Sequence, residues 1–351
     1  MSIYFAVLTI PLMLSWGRPS IKYGISIGLL AYFLVLLVFV GFRYEIGPDW
    51  GGYANIFLST RYFEFADGLA LREPGFFALN RVSDLLGFGL QGVMFVCALV
   101  FLIGIFAYAT QTASAWMAVA VVTPYLIFVI AMSGIRQAAA MGIIYFLLSR
   151  WTKFGFITKL ILIMGAATVH NSALCALLLL MFEERKWLWA KILFTGLLVW
   201  YLMSAETVTA TINYYQTDYV EKNLASNGAF FHVLLSAFPG ALFLYNRRRI
   251  AAAGWANPQV AAGSLAAILA LPLLIVSSTG VDRLALYLSY VQMWAYPALV
   301  ATFAGTHRNW TKRENWLAMI SSIIMVVFFG FFIFGNHSEA YVPYKNVLME
   351  D

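Results

Sequence analysis

The stretch from residue 42 to 53 reads FRYEIGPDWGGY and gathers Arg43, Glu45, Asp49, Trp50 and Tyr53 around four backbone-breaking positions, Gly47, Pro48, Gly51 and Gly52. Those four preclude a regular helix, so the charged and aromatic groups stand on irregular backbone. Beside apolar segments, such backbone is tolerated where it lines a cavity or is buried in protein. Carboxylates, an arginine and flat rings suit a carbohydrate: rings stack on sugar faces and an acid or base handles hydroxyls. An ordinary capped turn is the plainer alternative. Three further groups stand out. Arg136 and Gln137 open an otherwise apolar helix, Asp282 and Arg283 precede Tyr287 by about one turn, and His170 with Asn171 interrupts an apolar run. A cation facing lipid at mid-membrane costs about 2.5–3.5 kcal/mol on insertion scales, so Arg136 is expected to face protein. An ionisable group such as His170 inside a bilayer is by default a site candidate.

The elements that must position these residues are apolar throughout. Of 351 residues, 62% are apolar and only 11% charged, which identifies a polytopic membrane protein folded as one integral domain over 1–351. The 22 Lys and Arg against 16 Asp and Glu give +6, an excess that membrane topology accounts for, so no nucleic-acid partner is expected. Cys97 and Cys175 lie apart in apolar runs and indicate neither a disulfide framework nor a metal site.

Apolar runs predict ten crossings, at 1–16, 24–42, 90–110, 115–133, 135–150, 189–203, 231–245, 260–278, 284–303 and 316–334. The stretch 157–182 is expected to form a broken or re-entrant helical pair with His170 at its tip. With that choice, 14 of the 22 basic residues and only three acids, Glu183, Glu184 and Glu314, fall on one side, which the positive-inside rule makes cytoplasmic. The outer side then holds loops 43–89 and 204–230, the tail 335–351 and both termini. Residues 74–86 are expected to form an interfacial helix with Asn80, Arg81 and Asp84 toward water. Six of the eight outer basic residues are Arg (43, 61, 72, 81, 136 and 283). A planar fork grips phosphate or carboxylate with two bonds, so this bias hints at a bound anion.

In order and spacing, these elements resemble the EpsG family of bacterial exopolysaccharide proteins, part of the wider group of Wzy-type O-antigen and capsule polymerases. The resemblance rests on FRYEIGPDWGGY, Glu73-Pro74, Ile135-Arg136-Gln137, the HNSAL of His170 to Leu174, Asp282-Arg283 with Tyr287, and Pro343-Tyr344. It implies an all-α, GT-C-like membrane glycosyltransferase of the bacterial cytoplasmic membrane with its site facing outward. Such an enzyme moves a growing glycan from undecaprenyl diphosphate to a lipid-linked repeat unit. No cofactor or metal is expected; a chain-length regulator and membrane lipid are candidate partners. On this reading Arg43, Arg136 and Arg283 clamp the diphosphate with help from Gln137 and Tyr287. Asp49, Glu73 and His170 compete as base, Asp49 slightly ahead, and Glu45, Trp50, Tyr53, Asn171 and Tyr344 contact sugar. Three rivals stand beside it. An exporter or flippase of lipid-linked sugar should show repeat symmetry, and an acyltransferase should draw its donor from the cytoplasm. An O-antigen ligase differs only in acceptor.

Overall fold

The computed structural model describes residues 1–17, 26–69, 73–181, 193, 228–275, 277–304, 310–335 and 337–349. Among these, helices carry the architecture and no strand forms beyond one isolated bridge between Arg43 and Asn346. The predicted run 189–203, the loop 204–230 up to residue 227, and basic residues such as Arg72, Arg185 and Lys186 lie outside the described residues.

Helices α1 (Ser2–Ser15), α2 (Ile27–Gly41), α6 (Gly89–Ala109), α7 (Ala115–Val122), α8 (Ile135–Ser149) and α9 (Phe156–Val169) fall on the predicted apolar runs of the first half. Between α2 and α6 lie three shorter helices, α3 (Trp50–Ser59), α4 (Phe65–Leu69) and α5 (Pro74–Leu85); α3 runs through Gly51 and Gly52, so, against expectation, Trp50 and Tyr53 stand on helix and the irregular backbone ends at Asp49. After α9 come a 3-10 turn at Asn171–Ala176 and α10 (Leu177–Met181); the second half holds α11 (Ala229–Tyr245), α12 (Arg247–Ala252), α13 (Pro258–Leu273), α14 (Ser278–Ala285), α15 (Tyr290–Ala304) and α16 (Trp310–Phe334). Among the described residues, three stretches are long and apolar enough to cross a membrane by themselves: Gly89–Ala109, Ser278–Phe303 and Arg313–Phe334. The other apolar helices are 10–17 residues long, short of about 30 Å of hydrocarbon at about 1.5 Å per residue. In the Arg313–Phe334 stretch only 22% of the most apolar window is buried in protein, so most of this greasy surface is left for lipid.

Helices α6 and α8 cross at the centre through paired glycines. A Cβ on Gly104 would stand 2.0 Å from the Gly142 carbonyl oxygen, and one on Gly142 would stand 2.4 Å from that of Val100. Only glycine permits this approach, and it fixes the middle of α8 against α6. Further along, Pro124 removes a backbone donor inside an apolar helix. The ladder there slips to π geometry over Thr123–Ile130, closed by Ala131 N–H donating to Leu126 O at 2.9 Å, a local widening that often accompanies function.

The run 157–182 is interrupted at the predicted residue: α9 stops at Val169 and His170 is extended, with φ −154° and ψ 118°. The predicted interfacial helix exists as α5, packed on α6 and α9, but its faces differ from expectation. Asn80 is fully buried and donates to Phe76 O at 2.7 Å, while Val82, Leu85 and Leu86 are exposed. The amide nitrogen is thus bonded within its own helix, while Oδ1 is buried with no partner among the described residues, and the apolar Val82–Leu86 edge is left outward.

The tail is fastened to the first loop. Tyr44 N–H donates to Lys345 O (3.1 Å), Val347 N–H to Phe42 O (2.9 Å) and Gly47 N–H to Ala340 O (2.9 Å). Gly47 has φ +92°, and a Cβ there would lie 2.6 Å from Met132 O, so this turn requires glycine twice over.

Candidate active site

Two arrays of polar side chains face one cavity of about 2160 Å³, larger than the roughly 300–1,000 Å³ of ordinary small-molecule sites. The first array is built on Glu73. As the residue before Pro74 it sits at the cap position of α5, but its carboxylate makes no bond to that helix. It reaches outward instead: Arg136 Nη1 donates to Oε2, while His170 Nδ1 lies 2.6 Å from Oε1 and the Asn171 backbone N–H 3.4 Å from the same oxygen. Gly75 makes this possible, because a Cβ there would fall 2.4 Å from Thr168 Oγ1 at the end of α9. The first turn of α5 thereby comes close enough to bring Glu73 onto the broken end of the neighbouring helix.

Glu73 and His170 side chains are only 11% and 12% exposed, and Arg136 32%. Burial by itself would raise the Glu73 carboxyl, but the His170 hydrogen bond and the Arg136 charge outweigh it and hold the group below its ordinary range. The Arg136 guanidinium also lies 5.6 Å from the ring centres of both Tyr53 and Phe76, and its buried Nε has no hydrogen-bond partner. Asp49 stands near on the same wall, where Ser133 Oγ donates to Oδ2 at 2.6 Å.

The second array is built on α14, whose first turn is capped by Ser277. Both carboxylate oxygens of Asp282 lie near His232 Nδ1, at 3.0 and 3.2 Å. The imidazole stacks on Tyr125 of the π-segment, with centroids 4.2 Å apart and planes at 24°. Arg283 lines the same cavity, and its carbonyl accepts from Gln137 Nε2 at 2.6 Å. That bond ties the start of α8 to α14, joining the residue after Arg136 to the backbone of Arg283 itself. The remaining wall is apolar, supplied by α11 and α16 through residues such as Phe231, Phe238, Val326 and Phe334.

The sequence-predicted residues divide accordingly. Asp49, Tyr53, Glu73, Arg136, Gln137, His170 and Arg283 line the cavity. Arg43 does not. It is 1% exposed, and its guanidinium is spent on Met132 O (2.9 Å), Val40 O (2.8 Å) and Met94 Sδ (3.3 Å), so it does not join Arg136 and Arg283 on the cavity wall. Tyr287 is buried behind the wall against Ser172 at 3.1 Å. Tyr344 stacks on Phe39 at 4.4 Å and donates to its carbonyl, Glu45 pairs with Lys345 on the exterior at 2.8 Å, and Trp50 packs edge-on to Tyr44. None of these four is on the cavity wall, and Asn171 reaches the site through its backbone. Arg61 forms a surface ion pair with Asp84 at 2.7 Å.

His232 and Ser133 are cavity residues that sequence reasoning passed over. For His232 a signal existed: an ionisable group in the apolar run 231–245 deserves the attention given to His170. Ser133 carried none. Among the described residues, no group of three or more His, Cys, Asp or Glu side chains is placed to hold a metal ion. The family model described as EpsG family matches residues 27–346. No curated protein and no solved structure matches the chain.

Proposed function

Because the chain belongs to the EpsG family, a family of Wzy-type polysaccharide polymerases, we propose that it extends a glycan carried on undecaprenyl diphosphate. The growing chain is transferred to a lipid-linked repeat unit at the outer face of the bacterial cytoplasmic membrane. The observation that carries this reading is the convergence of Arg136 and Arg283 on one cavity beside buried Glu73 and His170. Outside the cell sugar nucleotides are absent, so the donor must arrive already activated, and a lipid diphosphate brings its leaving group with it.

Departure of that group needs positive charge where negative charge develops. Arg136 sits in the first turn of α8, where the helix dipole adds to the guanidinium and the pair favours an anion. Glu73 then has a structural reason. It keeps a partly buried guanidinium folded against the wall, since an uncompensated charge there would be costly. An arriving diphosphate competes for the Arg136 fork and takes up the donors that Glu73 does not use. Arg283 completes the grip from α14, with Gln137 holding the backbone of that turn. Asp49 and Tyr53 face the space beside them, suited to sugar hydroxyls and a sugar face. The apolar wall of α11 and α16 suits the lipid of the substrate.

The same proposal sets about ten crossings in a GT-C-like arrangement, with the broken pair at His170 and both termini outside. A chain-length regulator would act from the same side, and the polar groups suffice without a metal. The direct test is purified protein in vesicles supplied with lipid-linked repeat units alone. A ladder of lengthening products supports polymerisation; unchanged units, with the protein folded, refute it.

A further inference from the structure

Transfer to a sugar hydroxyl also needs a group that takes the proton, and the geometry points to His232, oriented by Asp282, as that base; the inference rests on the polymerase reading above. Neutral imidazole offers one donor and one acceptor nitrogen, and the bond made by one fixes the role of the other. Here Nδ1 faces the Asp282 carboxylate at 3.0 and 3.2 Å, so it carries the hydrogen and Nε2 is left as the acceptor. His232 lines the cavity, is partly exposed at 28%, and Nε2 makes no hydrogen bond among the described residues. Stacking on Tyr125 fixes the plane of the ring. A carboxylate behind the imidazole stabilises the imidazolium that forms when the proton is taken, the arrangement of hydrolytic triads.

The other cavity groups are less suited. Glu73 has Oε2 on Arg136 and Oε1 on His170, and its charge is answered by the guanidinium. His170 has Nδ1 on that same carboxylate, which Arg136 also occupies, so this carboxylate is not dedicated to the ring. The step balances as follows. The acceptor hydroxyl gives its proton to His232 Nε2 as its oxygen bonds to the anomeric carbon of the donor. The carbon–oxygen bond to phosphate breaks, its electron pair stays with the lipid diphosphate held by Arg136 and Arg283, and the imidazolium later releases its proton to water.

Among the described residues, Asp282 and Tyr125 touch His232, and the other charged and titratable groups lining the cavity are Arg283 of α14, Tyr296 of α15, His337 and Tyr341 of the tail, Asp49, Tyr53 and the Arg136–Glu73–His170 cluster. Initial rates in the vesicle assay between about pH 5 and 8 test the assignment. His232→Gln is expected to lower kcat on the order of 10²-fold with KM near wild type, within the range for losing a general base, and to remove the acid limb of the kcat profile. In His232→Ala, added imidazole restores part of the rate. Asp282→Asn, which takes away the carboxylate that orients the ring, is expected to lower kcat with KM near wild type. Wild-type kcat in His232→Gln overturns the assignment. So does wild-type kcat in Asp282→Asn, a readout that remains if the His232 variants fail to fold. If wild-type protein makes no ladder, the polymerase reading falls; if it does and His232→Gln matches it, only this inference falls.

Discussion

Arg43 and Arg136 carry the same fork, yet they sit in different chemistry. Arg43 is enclosed by two backbone carbonyls and a thioether and pins the first loop to the turn at Met132. Arg136 is held by a carboxylate that also holds a histidine, over two rings, at the edge of a cavity. Carbonyl acceptors are fixed and neutral, so the arginine they hold is mortar for the backbone. A carboxylate that itself stands on a cavity wall can be exchanged for another anion. The partner of an arginine, rather than its residue type, separates a structural cation from one that can meet substrate.

The largest effect expected from this contrast lies at the cavity. Arg283→Ala, or Arg136→Lys, which keeps the Glu73 pair but loses the fork, should cut chain extension by about 10²–10³-fold while the amount of inserted protein stays near normal. Full-length polymer from both variants would erase the distinction. Arg43→Lys should do the reverse, losing about 2 kcal/mol of stability as charged hydrogen bonds to carbonyls are broken. A lowered thermal midpoint with normal extension per folded molecule is the expected result, and a stable but inactive variant would return Arg43 to the site.

Gly75→Ala probes how the Glu73 wall is assembled. Its Cβ would meet Thr168 Oγ1 at 2.4 Å, a clash worth about 1–3 kcal/mol. Activity should drop and recover in part when Thr168→Ala is added; equal activity of single and double variants would mean that α5 is free to shift. Smallest of all, Lys345→Ala removes a pair with side chains 40% and 49% exposed, and its stability cost should stay below about 1 kcal/mol, within the scatter of an unfolding measurement.

What could be read in advance follows the same division. Helices coincide with the apolar runs because hydrocarbon forces the backbone to satisfy itself, and His170 marks the interruption because a polar pair stands alone in an apolar stretch. Arg136 could be singled out for the same reason, whereas Glu73 is marked only by the family resemblance. Arg43 looked equivalent because its carbonyl partners come from Met132 and Val40, and main-chain acceptors leave no trace in composition. The buried Asn80 is a similar case, its amide nitrogen bonded to the Phe76 carbonyl of its own helix. His232 lay near the end of an apolar run, and its partner Asp282 is 50 residues away, a separation no local pattern spans.

The fastening of the first loop by the distal segment has a consequence for biosynthesis. Glu45 meets Lys345 across 300 positions, and the backbone bonds at Phe42 and Tyr44 wait for Lys345 and Val347. A nascent chain must therefore thread almost every intervening helix through the translocon before that loop can lock. Ribosomes paused short of this point would leave an inserted but unlatched precursor, which gives quality-control proteases a clear mark by which to tell abandoned copies from finished ones.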